Sequence, residues 1–397
     1  MSSDEIGPQP EPVWAEAPAP APAPGPAGRQ APPWPGWGYQ PPPPPKPGVV
    51  PLAPLGIAEI LRGVFDTLRH NLAALYLPLL GVVLGALVLL GGYGVVGYLS
   101  LQGLIDDLRA QPDYQPTDAQ RLTIVALLAG GLLLLALCSL ALSTVAATTS
   151  TGVLRHATLG RRVTARQIRT ESARYLWRVL GGQLLVGAGG LGILVVSLLP
   201  AVLLAGFDAG PALILVSLLL VVPAALVGTY VQVRLALVVP VIVLEDSRPV
   251  AAIRRAWRLN HGAWWRSLGI PYLVNMIASF AGQLVATPFV VIGAVGMFST
   301  ASTTTDVDGA VSTGAPSGGG IVFFVACILV GSALTSTLTL PLAPLTHGLL
   351  YLDRRIRREN LAPALATAAG LPGWAPAGPP AGPSADTPAP GAGPTEG

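Results

Sequence analysis

Six long apolar runs dominate the pattern of hydrophobic and polar positions along the chain. A bilayer core requires about 20 consecutive apolar residues of helix, and every run reaches that length. The runs cover residues 72–101, 122–153, 179–205, 211–244, 268–298 and 321–352. The pattern therefore predicts an all-α fold, a six-helix transmembrane bundle made of three helical hairpins.

A stretch of amphipathic helical character precedes each predicted hairpin, at residues 56–71, 163–178 and 249–266. In the third stretch apolar and aromatic residues recur at helical spacing among arginines, as in a helix that lies in the headgroup layer. Each such helix is either an interfacial brace between hairpins or a partner-binding helix. The predicted lipid contacts are Arg254, Arg255, Arg258, Trp257, Trp264, Arg166 and Arg169.

Arginines are distributed unevenly among the loops between the spans. They cluster in the second and fourth loops and after the sixth span, whereas aspartates dominate the first loop and are the only charges in the third and fifth. Arginine-rich loops stay on the cytoplasmic side. The sequence thus predicts a multi-pass protein of the cell membrane with both termini in the cytoplasm, and the first span serves as the targeting signal because no signal peptide is visible.

Proline, alanine and glycine dominate residues 1–54 and 361–397. Segments of this composition bury too little apolar surface to fold, so both tails are predicted to be disordered and residues 55–360 to form the transmembrane domain. The run Pro41 to Pro45, followed by Lys46 and Pro47, resembles a ligand of proline-reading domains. A plain spacer is the alternative interpretation.

Charged residues make up only 11% of the chain, against about 25% in soluble domains. The net charge is +3, but the arginines lie between apolar spans and not on a solvated domain, so no nucleic-acid partner is predicted. Cys138 and Cys327 fall inside spans and are interpreted as small core residues. The four histidines share no ligand spacing, and neither a metal site nor a cofactor is predicted.

Arg234 is the one charge clearly inside an apolar run, which makes it a candidate functional residue. Glu245 lies eleven residues further, on the same face of a continuous helix but too far for direct contact. Together they are the candidate functional or structural charge pair. Glu171, Glu59 or a lipid phosphate could serve as the direct partner of Arg234, and a transport role is the alternative.

Two glycine patterns fall inside the spans. Residues 187–192 match a dinucleotide-binding fingerprint, but inside a span the glycines are better explained by helix packing. Gly81 and Gly85 form a GxxxG motif that favours a helix contact within or between chains. The sequence contains no HExxH, GxxxxGK[ST] or GxSxG motif, so no enzymatic activity is predicted.

Several stretches resemble a family of polytopic bacterial membrane proteins, common in actinobacteria, labelled as a glycerophosphoryl diester phosphodiesterase membrane domain. They are residues 54–61, Arg234 with Pro240 and Glu245, residues 252–259 with 264–266, and residues 350–359. The resemblance implies membrane topology without hydrolysis, because the His-Arg start and the metal-binding carboxylates of the catalytic barrel are missing.

These patterns favour a non-enzymatic membrane protein that organises lipid, above all anionic lipid, or partner proteins at the inner membrane surface. A transporter or permease for a small solute is the alternative, since Pro78, Pro223 and Pro288 could break spans. A polar cavity at bilayer depth, lined by Arg234, would favour transport.

Overall fold

The structure of the chain, a computed structural model, describes residues 48–49, 51, 53–111, 114–207, 210–301, 303–305, 311–313 and 316–368. Most of the two predicted disordered tails, including the proline run, lies outside these residues. The described helices are α1 (Ile57–His70), α2 (Leu72–Ala110), α3 (Asp118–Ala157), α4 (Ala165–Ala173), α5 (Leu176–Gly206), α6 (Pro211–Leu218), α7 (Val221–Leu235), α8 (Val238–Leu244), α9 (Pro249–Leu259), α10 (Trp264–Phe298), α11 (Gly318–Thr339), α12 (Leu342–Glu359) and α13 (Ala362–Ala368).

Six helical segments are long and apolar enough to cross a membrane, which confirms the predicted all-α, multi-pass architecture. The spans are α2, α3, α5, the run α6–α8, α10 and the run α11–α12. The loop between α10 and α11 contains a small antiparallel hairpin. Its strands are β1 (Thr303–Thr305) and β2 (Val311–Thr313). Both strands are rich in β-branched residues, which favour extended structure.

The spans are arranged in a closed circle. Each of α2, α3, α5, α7, α10 and α11 packs against the next, and α11 returns to α2. The short helices α8 and α12 continue the fourth and sixth spans toward the centre, where they contact each other and α3. The interior is therefore closed at one end of the circle by α8 and α12.

Proline explains where the fourth and sixth spans are interrupted. The breaks fall at Leu219–Leu220, at Ala236–Leu237 and at Leu340–Pro341. Each begins four residues before a proline, namely Pro223, Pro240 or Pro344, whose missing N–H cannot bond the carbonyl one turn earlier. Pro78 and Pro288, by contrast, lie inside the uninterrupted helices α2 and α10.

The amphipathic stretches form α1, α4 and α9, which pack against the ends of the spans. In α1 the apolar face of Ile60, Gly63 and Val64 is buried against α12. The third stretch is shorter than predicted, since α9 ends at Leu259 and Gly262 adopts a left-handed turn before α10 begins. The end of the bundle formed by α1, α4, α9 and the last turns of α12 is called the arginine-rich end below.

The folded part extends beyond both predicted boundaries. Before residue 55, the amide of Val49 donates to the carbonyl of Ala157 at 3.2 Å. After residue 360, α13 buries Ala362 and Ala366 next to Ile356. Composition alone placed these short segments in the tails, but each finds an apolar surface on the bundle.

Close helix packing occurs at glycines of α10 and α11, not at the motifs singled out in the sequence. A Cβ added at Gly293 would lie 2.9 Å from Cys327 Cβ and 3.3 Å from Phe324 Cα. A Cβ at Gly81, Gly85 or any glycine of residues 187–192 would meet no described heavy atom within 4 Å. The glycine run therefore packs closely against no other described part of the chain.

We expect Gly293→Leu to destabilise the protein, because the atoms that approach Gly293 are fixed to the backbone of α11. Overpacking of this kind costs about 1–3 kcal/mol. Thermal unfolding of the detergent-solubilised chain measures the effect. Gly85→Leu is the matched control on α2, and equal unfolding temperatures for the two variants would contradict the packing described here.

Candidate functional site

A buried carboxylate joins three parts of the chain at the arginine-rich end. Asp353, on α12, has no exposed surface. Its Oδ1 accepts hydrogen bonds from the amide of Leu55 at 2.9 Å and from Arg357 Nε at 2.8 Å. Its Oδ2 lies 3.4 Å from Arg266 Nη2, and Arg266 also donates to the carbonyl of Leu55. The segment before α1, the first turn of α10 and α12 thus meet at one charge.

A second group of charges lies next to this contact. Glu245, which ends α8, accepts from Arg255 Nε at 3.0 Å and from the Tyr351 hydroxyl at 2.7 Å. Glu359 bridges Arg255 at 2.7 Å and Arg355 at 2.8 Å. Asp353, Glu245 and Glu359 with their arginine partners are called the carboxylate cluster. It ties α8, α9 and α12 together through charge-assisted hydrogen bonds.

Further hydrogen bonds continue from the cluster into the bundle. Arg354 is only 5% exposed, and its Nη2 lies 3.3 Å from Ser267 Oγ and 3.4 Å from the carbonyl of Ala263. Ser267 donates to the side chain of Asn260, whose Nδ2 donates to the carbonyl of Val233 at 2.6 Å. The latter carbonyl lies near the break between α7 and α8, where helical hydrogen bonding is incomplete.

The predicted charge pair of Arg234 and Glu245 is not formed. Arg234 donates to the Tyr230 hydroxyl from Nε at 3.0 Å and from Nη2 at 2.7 Å. Its guanidinium carbon lies 5.1 Å from the ring centroid of Trp257, while Trp264 stacks on Tyr230. Arg234 is therefore held by aromatic faces through cation–π contacts. Arg234 and Glu245 do not share a helix face, because the helix breaks between the two residues.

The proposed alternative carboxylates have other partners. Glu59 accepts from the amide of Gly56 and caps its own helix. Glu171 Oε2 lies 2.9 Å from His156 Nε2. This hydrogen bond lowers the pKa of Glu171, partial burial opposes the shift, and a further hydrogen bond from Gln167 adds to it. Both carboxylates thus stabilise local structure at the arginine-rich end.

The predicted lipid contacts divide into two groups. Arg254 and Arg258 on α9 and Arg166 and Arg169 on α4 are exposed and make no ion pair with any described residue. Arg255 instead points into the carboxylate cluster, which corrects its prediction. Trp257 and Trp264 contact the Arg234 group, and Trp257 remains 39% exposed.

A cavity of about 720 Å³ lies inside the circle of spans. Residues of α3, α5, α7, α8, α10, α11–α12 and the helix breaks line it, and most are aliphatic. Arg234 does not line it, although its neighbours Val233 and Leu235 do. This cavity therefore lacks the Arg234 lining that would have favoured transport.

The lining also carries neutral polar side chains. The Oε1 of Gln183 accepts from Thr144 Oγ1 at 2.6 Å, which leaves its amide group directed to no described acceptor. Gln232, Asn275 and His347 make no side-chain hydrogen bond within the described residues. These residues are not among the predicted site residues, because charge inside a span was the signal considered; uncharged amides inside apolar runs were the signal that could have found them.

No group of three or more metal-ligating side chains occurs in the part of the chain that the structure describes. The sequence of residues 74–347, well over half of the chain, matches the model of a family described as a family of unknown function (DUF7544). Among curated proteins and solved structures, none matches the chain.

We expect Asp353→Asn to destabilise the folded chain strongly, since it leaves Arg266 and Arg357 beside a neutral buried group. Arg266 and Arg357 are themselves 30% and 37% exposed, so the loss is that of hydrogen bonds to a charged group, about 1.5–3 kcal/mol each. Denaturant unfolding in detergent measures the loss. Asp118→Asn is the control, because the pair of Asp118 with Arg121 is exposed and contributes little; a similar loss in both variants would refute the role assigned to Asp353.

Proposed function

The chain belongs to this family of unknown function, DUF7544, and we propose that it is a non-enzymatic membrane protein that organises anionic lipid at its arginine-rich end. The proposal places it in the cell membrane, with both termini and the arginine-rich end in the cytoplasm. It includes no cofactor. Protein partners bound through the proline-rich tail are a further part of the proposal. That tail lies outside the described residues.

The observation that carries the proposal is the separation of inward and outward charges at one end of the bundle. The carboxylates of Asp353 and Glu245 are bound to arginines inside the fold, and that of Glu359 is bound to Arg255 and Arg355 at its surface. Exposed arginines on α4 and α9 are left without acidic partners among the described residues. Basic side chains at a headgroup layer attract anionic lipid, each by about 1 kcal/mol.

The likeness to the membrane modules labelled glycerophosphoryl diester phosphodiesterase membrane domain supports the same proposal. Its characteristic residues 252–259 and 350–359 supply much of the arginine-rich end, including Arg255 and Asp353. We propose that this chain shares the lipid-facing role of a membrane module without the phosphodiesterase reaction.

A transporter is the second candidate, and the interrupted spans favour it. The breaks at Ala236–Leu237 and Leu340–Pro341 both border the cavity, and transporters bind their substrates at discontinuous helices. However, α8 and α12 pack tightly below the cavity, where Val241, Ile242 and Leu345 are fully buried. A transport cycle would have to separate these helices, so we rank transport second.

We expect the purified chain to prefer phosphatidylglycerol over phosphatidylcholine in its lipid shell after reconstitution in mixed vesicles. Spin-labelled lipids of both kinds measure this preference. The quadruple variant Arg166→Gln, Arg169→Gln, Arg254→Gln and Arg258→Gln should lose most of it, because each arginine contributes up to about fivefold in relative affinity.

Arg121→Gln is the control for this experiment, since Arg121 is exposed at the opposite end of α3. It should leave the preference unchanged. A chain that shows no preference between the two lipids, or a quadruple variant that keeps the full preference, would contradict lipid organisation by these arginines.

The proposed orientation predicts opposite accessibility for the two ends of the bundle. In a background with Cys138→Ala and Cys327→Ala, a membrane-impermeant maleimide should label Gln115→Cys on intact cells. Ala173→Cys, at the end of α4, should react only after the membrane is permeabilised. The reverse labelling pattern would place the arginine-rich end outside the cytoplasm.

A further inference from the structure

The polar groups of the cavity lie at bilayer depth. Gln183 is seven residues from the start of α5, and Asn275 is eleven residues from the start of α10. At 1.5 Å per residue these positions lie roughly 10–17 Å from the arginine-rich ends of their helices. The side chains therefore belong to one half of the membrane and not to an aqueous loop.

Polar side chains at this depth need a hydrogen-bonding partner, because hydrocarbon offers none. Gln183 has a free amide group, and Gln232, Asn275 and His347 have no partner in the described part of the chain. Four side chains from α5, α7, α10 and α12 thus converge on one cavity with unused donors and acceptors. An occupant of the cavity that donates and accepts hydrogen bonds would satisfy them.

The rest of the lining restricts what that occupant can be. Among the described residues, no Asp, Glu, Lys or Arg lines the cavity, so a charged group would enter without a counter-charge. Aliphatic residues such as Leu140, Val186 and Val239 cover most of the surface, and apolar cavities hold water poorly. The lining fits an uncharged, hydrogen-bonding head attached to an apolar body.

The size and the opening of the cavity point to a molecule from the bilayer. A volume of about 720 Å³ lies within the usual range of small-molecule sites. Thr229 and Gln232 on α7 and Tyr272 and Asn275 on α10 line it while being exposed on the surface of the bundle. The gap between α7 and α10 therefore opens sideways, toward lipid.

We propose that this cavity binds a neutral, single-chain lipid, whose uncharged head bonds to Gln183, Gln232, Asn275 and His347. Its chain lies along the aliphatic wall and leaves through the gap between α7 and α10. This site is separate from the exposed arginines of α4 and α9, so it stands or falls independently of their preference for anionic lipid.

The test uses the full chain in phosphatidylcholine nanodiscs and a photoactivatable monooleoylglycerol as the probe. Cross-links should map to the lined parts of α5, α7 and α10. Unlabelled monooleoylglycerol should compete, whereas oleate, which has the same chain and a negative head, and an alkene without a head should compete poorly.

Two pairs of variants connect the labelling to the cavity. Gly187→Phe fills open space in the lining and should remove most of the labelling, whereas Gly189→Phe, outside the lining on the same helix, should not. Asn275→Leu should weaken binding about tenfold through the loss of one hydrogen bond. Gln283→Leu is its control, since Gln283 is an exposed amide of α10 outside the lining.

The amide pair keeps the test decisive if Gly187→Phe does not fold. Equal labelling of Asn275→Leu and Gln283→Leu would overturn the proposal. So would competition by oleate or the alkene as strong as that by monooleoylglycerol, because the neutral head would then contribute nothing. Absence of specific labelling in the unmodified chain would also overturn it, and would indicate a cavity that holds only water.

Discussion

The carboxylate of Asp353 has no exposed surface, and the arginine-rich end is arranged around it. A charge removed from water remains stable only when charged and hydrogen-bonding partners replace its hydration shell. Those partners come from the segment before α1, from the first turn of α10 and from α12 itself. None of these elements can move away alone without leaving a buried charge unpaired, so this end of the bundle is held as one unit.

The rest of the bundle is built differently. Near the carboxylate cluster α8 and α12 fill the centre, and most of their side chains are buried. Further along the spans, many glycines of α2 and α5 have no described neighbour within 4 Å of an added Cβ, and many leucines of α2, α3 and α5 are exposed. The cavity lies where the dense end gives way to the looser circle, at the breaks that proline introduces into the fourth and sixth spans.

Hydropathy predicted the six spans and the amphipathic helices because both depend on local composition and periodicity. The partner of Arg234 could not be predicted in this way. Its assignment to the face of Glu245 assumed a continuous helix, but the break at Ala236–Leu237 separates the two side chains, and the rings of Tyr230 on α7 and Trp257 on α9 hold the guanidinium instead. The cavity could not be predicted from the sequence either, because it depends on which faces of five separate spans meet.

The contact between Leu55 and Asp353 joins residues 298 positions apart. Ribosomes add about 5–20 residues per second, so roughly 15–60 s separate the synthesis of the two partners. During that interval the first spans are already in the bilayer, while α1 lacks the helix on which it docks. Biogenesis of this protein therefore includes a late closing step, in which α1 docks on α12 only after the final span has been translated.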